Sequence, residues 1–199
     1  MRVYSYILAK DGGFAPNPFH GFCTLACCKP KIRATAQAGD LIIGLTSRSE
    51  RLAYAMKVSK VLGFADYWRG PRYEIKRPIF KSPTKLRRMG DNIYEPDGDG
   101  AFRQLPSAHS HPDGTEHRGK KEHDLDGFKV LVGDRFAYFG VEAPELPTAL
   151  AFLRVGRGHR CQFTASEIAE VNAWFEELPQ GVQGRRRMWS ASDDSWMER

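Results

Sequence analysis

LIIGLTSRSERLAYAMKVSKVL, residues 41–62, decides the fold. LIIGL is a short, unbroken apolar run, the form of a buried strand. SRSER is a turn. From Leu52 the chain alternates. Leu52, Tyr54, Met56 and Val58 fall on one face, and Ala53, Ala55, Lys57 and Ser59 on the other. That is a half-buried strand, antiparallel to LIIGL across the turn. A paired hairpin of this kind is the centre of a sheet.

Working upstream, residues 2–9 also alternate. Tyr4, Tyr6 and Leu8 share one face and Val3, Ser5 and Ile7 the other, before Asp11-Gly12-Gly13 ends the strand. Residues 30–38 read as a short helix, with Pro30 at its first position and Gly39 beyond its end. Between strand and helix lies FAPNPFHGFCTLACCKPKIR, residues 14–33, dense in proline, cysteine, aromatic and basic residues.

Working downstream, residues 64–68 suit one helical turn. Residues 69–94 are basic, with short extended pieces expected at 73–75 and 78–80. Residues 95–126, rich in Pro, Gly, Asp, Ser and His, read as a mobile loop insert. Two further strands are expected at 128–132 and 135–139. Thr164-Ala-Ser-Glu167 is a capping box that opens a helix with an apolar stripe of Ile168, Val171, Trp174, Phe175 and Leu178. The expected architecture is α+β, a small mixed or antiparallel, β-barrel-like sheet with flanking helices. One domain spans 1–180, and 181–199 is a polar tail.

The chain has 199 residues and a net charge of +6. Residues 22–88 hold 15 Lys/Arg against 4 Asp/Glu, whereas residues 89–153 hold 6 against 12. A basic half concentrated in this way favours a polyanion, with nucleic acid or a nucleotide the expected partner. No apolar run reaches the ~18 residues of a membrane span, so no membrane partner is expected. The N-terminus lacks the features of a secretory signal. The expected location is the cytoplasm, with Cys23, Cys27, Cys28 and Cys161 reduced.

Lys29, Lys31 and Arg33 crowd the start of the 30–38 helix, an arrangement that suits a bound phosphate. In Gly156-Arg157-Gly158-His159-Arg160, the glycines let a ligand approach the backbone, and Arg157, His159 and Arg160 supply donors. Phe19, Tyr67 and Trp68 lie near cations and offer faces for stacking on a base. Asn17, held between two prolines, could read a base edge. The spacing Cys23-x-x-x-Cys27-Cys28 does not ask for zinc. A nucleophilic cysteine with His159 as base is a minor alternative. His109, His111, His117 and His123 could bind a transition metal, but their setting argues for a loop, and no metal site is assigned. P-loop, GxSxG, HExxH and dinucleotide fingerprints are absent, so the cofactor stays unknown.

Taken together, FAPNPFHGFCTLACCKPKIR, AGDLIIG, LAYAMKVSKVLGFADYW, GDNIY, DRFAYFG and GRGHR resemble the second type of nucleotide-modification-associated domain, found in phages and bacteria. The resemblance covers roughly residues 1–162 and implies a link to base modification without specifying a reaction. More loosely, the opening is similar to PUA-like modules of the EVE and ASCH branch. That resemblance implies a small β-barrel that binds nucleic acid, with 14–33 and 156–160 flanking the pocket. The leading expectation is a module that binds a modified nucleotide or base there. One alternative is an enzyme that modifies a nucleobase, with His159 as acid or base beside Arg157 and Arg160. Another is a docking subunit of a modification or defence complex, with protein partners.

Overall fold

A computed structural model describes residues 1–47 and 51–188. The strands are β1 (Val3–Leu8), β2 (Cys23–Leu25), β3 (Leu41–Thr46), β4 (Leu52–Lys57), β5 (Lys60–Gly63), β6 (Tyr94–Pro96), β7 (Phe102–Gln104), β8 (Lys129–Gly133), β9 (Arg135–Tyr138), β10 (His159–Arg160) and β11 (Gly181–Val182). The α-helices are α1 (Pro30–Thr35), α2 (Phe64–Arg69), α3 (Lys85–Arg88), α4 (Arg118–Asp126) and α5 (Ala165–Glu177). Three 3₁₀ turns lie at Pro71–Lys76, Gly140–Glu142 and Thr148–Leu153.

The class is α+β, as expected, and the helices flank the sheets. The sheets do not close into a barrel. A six-stranded mixed sheet runs β10-β1-β3-β4-β9-β11, a three-stranded sheet runs β2-β8-β5, and β6 and β7 form a hairpin. The alternation in β1 has a direct physical outcome. Tyr4, Tyr6 and Leu8 enter a core shared with β2, α1 and β8, while Val3 enters a second core under α5. The large sheet is therefore covered on both faces, which is why residues 41–45 of β3 are apolar throughout. The capping box of α5 forms as expected, and Val171 and Phe175 bury its stripe.

Four further readings of the sequence differ from the structure. Residues 52–62 are not one strand: β4 pairs with β3 and β9, whereas β5 crosses to β8 in the smaller sheet. A bulge at Gly44/Leu45 also turns Leu52 away from Tyr54 and Met56 into the other core. Residues 73–75 lie in a 3₁₀ turn, not an extended piece. The insert at 95–126 carries β7 and α4, held by side-chain hydrogen bonds and not by an apolar stripe. Gln104 Oε1 accepts from the His117 N–H at 2.8 Å, and Asp124 accepts from Tyr94 and Cys28.

The fourth difference is the tail. Gly181 and Val182 pair parallel with β9, and Val141 N–H bonds Arg185 O at 2.7 Å. Arg186 is buried over the ring of Phe19, 4.3 Å from its centroid. No periodic pattern announces a strand of two residues and one buried cation. The middle of the SRSER turn and residues 189–199 lie outside the described residues.

Candidate functional site

The residues before α1 set the geometry. Asn17 and Thr24 exchange backbone hydrogen bonds at 2.9 Å, closing the proline loop on itself. Beneath it lies a buried polar cluster. Lys76 Nζ donates to Asn17 Oδ1 at 2.7 Å, Asn17 O at 2.9 Å and Phe22 O at 3.0 Å. Burial, against the pull of Asp91, brings Lys76 down to about 8. Asp91 in turn accepts from Thr24 Oγ1 at 2.6 Å and Tyr67 Oη at 2.7 Å. These bonds fix the route of residues 14–25. They also place Asn17 and Tyr67 inside the protein, so both serve the loop's support.

Cys28 and Lys29 follow, both left-handed, with φ of 58° and 43°. This pair of turns points the Lys29 ammonium back over β1, where it lies 4.3 Å from the centroid of the Tyr6 ring and donates to Ile7 O at 3.3 Å. Burial holds Lys29 below its ordinary value. Lys31 is exposed two residues on. Because β10 pairs antiparallel with β1, opposite Tyr6 stands His159, whose ring centroid is 6.2 Å from that of Tyr4. Burial lowers His159 below its usual range, and Lys31 and Lys29 lower it further, so it is a neutral imidazole at pH 7. Segments 14–33 and 156–160 therefore meet at the edge of the large sheet, with Lys29, Lys31 and His159 together and exposed Arg157 on the adjoining turn.

Other expected residues lie elsewhere or are already engaged. Arg33 is buried and donates to Cys28 O at 2.7 Å, to Lys129 O at 2.6 Å and to Asp124 O. It staples the loop to α4. Phe19 lies under Arg186. Trp68 lies under the guanidinium of Arg77, at 4.1 Å. Arg160 donates to Phe152 O at 2.6 Å and stacks on Phe163 at 4.5 Å.

The sequence reading also missed a constellation beside the cations. Cys28 Sγ lies 3.6 Å from His109 Nε2, and His109 Nδ1 lies 2.6 Å from Asp124 Oδ2. His159, the imidazole paired with a cysteine in the sequence reading, is not the one at this thiol. Asp124 Oδ1 accepts from the Cys28 N–H at 2.6 Å, and Oδ2 also accepts from Tyr94 Oη at 2.7 Å. Burial opposes charge on His109, but the Asp124 bond and then Cys28 lift it to about 9, while Asp124 stays ionised below its ordinary value despite its burial. The four histidines of 109–123 were the sequence signal available, and they did not identify a partner.

Cys27, His109 and Asp124 also bring ligand atoms within 4.8 Å of one another, a spacing that could hold a metal ion. Both carboxylate oxygens already accept hydrogen bonds, and Cys27 Sγ faces Asp91 O at 3.8 Å.

Among the described residues no helix is long and apolar enough to cross a membrane. No curated protein and no solved structure matches the chain. One family model does, over residues 1–193, and by that match the chain belongs to the family described as nucleotide modification associated domain 2.

Proposed function

We propose that the domain holds a nucleotide, free or as a unit of DNA or RNA, against the face where α1 meets β10, as the nucleic-acid-binding part of a base-modification system. The observation that carries this reading is the meeting of Lys29 and Lys31 with His159, from segments far apart in sequence, close enough that the two ammonium charges lower the imidazole's proton affinity. Two cations gathered beside a polar imidazole favour an anion among them. Lys31 and Arg157 are exposed and reach the phosphates. The neutral His159 beneath them donates or accepts a hydrogen bond without adding to the repulsion.

Fluorescence anisotropy with labelled single-stranded DNA, duplex DNA and RNA tests this. Affinity should fall steeply with salt, and Lys31→Ala and Arg157→Ala should each reduce the slope of log K against log[salt] by about 0.7–0.9. No affinity at low salt for any of the three polymers, with or without modified bases, refutes it.

A further inference from the structure

We propose that Cys28, His109 and Asp124 form a nucleophilic thiol centre that transfers an acyl group from an ester or amide carried on a phosphate-bearing molecule.

The geometry supplies the nucleophile, the imidazole and the orienting carboxylate of such a centre. The thiol is within reach of an imidazole nitrogen, at 3.6 Å. The other ring nitrogen donates to a buried carboxylate, so the tautomer and ring direction are set. That carboxylate cannot turn away, because Cys28 N–H and Tyr94 Oη hold its oxygens. The Phe14 ring, with centroids 4.6 Å apart, packs on the imidazole. Arg33 ties Cys28 O to Asp124 O, locking thiol loop and helix together. Accessibility distinguishes the sulfur as well: Cys28 is partly exposed, whereas its neighbour Cys27 is fully buried. Cys28 is also a non-glycine residue at positive φ, a conformation that persists only where its surroundings impose it.

The reaction balances with water as the only co-reactant. The Cys28 thiolate forms a C–S bond to the acyl carbon. The carbon's bond to oxygen or nitrogen breaks, and the leaving group takes the Nε2 proton of His109. Water then adds to the thioester and gives a proton to His109. The C–S bond breaks, a carboxylic acid departs, and the thiolate–imidazolium pair is restored. A neighbouring imidazolium favours a thiolate, and Asp124 and Cys28 face His109 by direct contact. Tyr94 and Arg33 reach it through Asp124, and the Phe14 face is uncharged. The phosphate-bearing class rests on the nucleotide face proposed above. Lys29 is the next residue, and the Cys28 sulfur acts on its charge. The thiol chemistry itself does not depend on that face.

The test uses the full chain. Iodoacetamide is added at pH 6, and alkylation of each cysteine is timed by peptide mass spectrometry. Cys28 should react roughly tenfold or more faster than exposed Cys161. His109→Gln should remove the advantage. With p-nitrophenyl acetate, an acetyl adduct should form on Cys28 and be absent in Cys28→Ser. Equal rates for Cys28 and Cys161 in the unsubstituted protein overturn the proposal whether or not the variants fold. So does stoichiometric zinc that blocks alkylation and is lost in His109→Gln. Adenosine monophosphate and inorganic phosphate are then added as protectants. Slower alkylation supports the phosphate-bearing class. No protection, with a fast thiol, overturns that class and leaves the thiol centre standing.

Discussion

Raising the pH from 6 to 9.5 should take the charge off His109 and loosen the contact between residues 28, 109 and 124. Its folded value is about 9, against an ordinary 6.5. Its side chain is 14% exposed and that of Asp124 is fully buried, so solvent screens the pair little. Each tenfold gain in proton affinity is worth ~1.4 kcal/mol, so the pairing contributes about 3 kcal/mol. Because the folded value is raised, that contribution is fully present below pH 6.5 and is lost as the pH climbs through 9. Lys76 works in the opposite sense: its folded value is lowered to about 8, so stability from this group rises as the pH passes 8. The total curve mixes the two, and the informative quantity is a difference. Urea unfolding at pH 6 and pH 9.5 should show the unsubstituted protein losing about 3 kcal/mol more than His109→Gln. In parallel, the His109 ring protons should titrate near 9 by NMR. Identical pH dependence in the two proteins, or a ring midpoint near 6.5, would refute the pairing.

Two further predictions concern the supports of the site. Lys76→Ala leaves two backbone carbonyls and the Asn17 side chain buried without their donor, and should cost about 3–5 kcal/mol. That corresponds to a fall in Tm of roughly 2–4 °C per kcal/mol by calorimetry, and an unchanged Tm would mean the cluster does not brace the loop. Gly44→Ala would place a methyl group 2.3 Å from Cε1 of Tyr54, whose hydroxyl bonds that of Tyr6. The overpacked core should lose about 1–3 kcal/mol, and a urea midpoint equal to that of the unsubstituted chain would rule the crowding out.

The strands at the centre were legible because a period of two shows directly which side chains enter which core: Tyr4, Tyr6 and Leu8 went one way and Val3 the other. The crossing between β4 and β5 was not, since Val58-Ser59 offers no glycine or proline to mark a change of sheet. Helix α4, RGKKEHDLD, has no apolar stripe, so periodicity could not separate it from a loop. The cations of the candidate site are local in sequence and were visible as a cluster. The thiol, imidazole and carboxylate come from residues 28, 109 and 124. What joins them is a backbone N–H bonded to a side chain 96 residues away. Spacing along the chain holds no trace of such a bond.

Residues 183–188 give the fold an order of assembly. Arg186 covers Phe19, and Met188 N–H bonds Asp11 O at 3.0 Å, so the opening loop is clasped by some of the last described residues. Gly140, at φ 54°, lies so close to Arg185 O that an added Cβ would stand 1.9 Å from it, so this clasp has little room to slide. A ribosome delivers the proline loop early and its clasp late. Until residues 183–188 emerge, then, the loop that leads to Cys28 lacks its outer fastening. A shortened chain ending at residue 180 would keep all three residues of the thiol centre yet resemble the nascent protein just before closure. Its Cys28 reactivity would tell how far that late fastening shapes a site nearly 160 residues earlier in the chain.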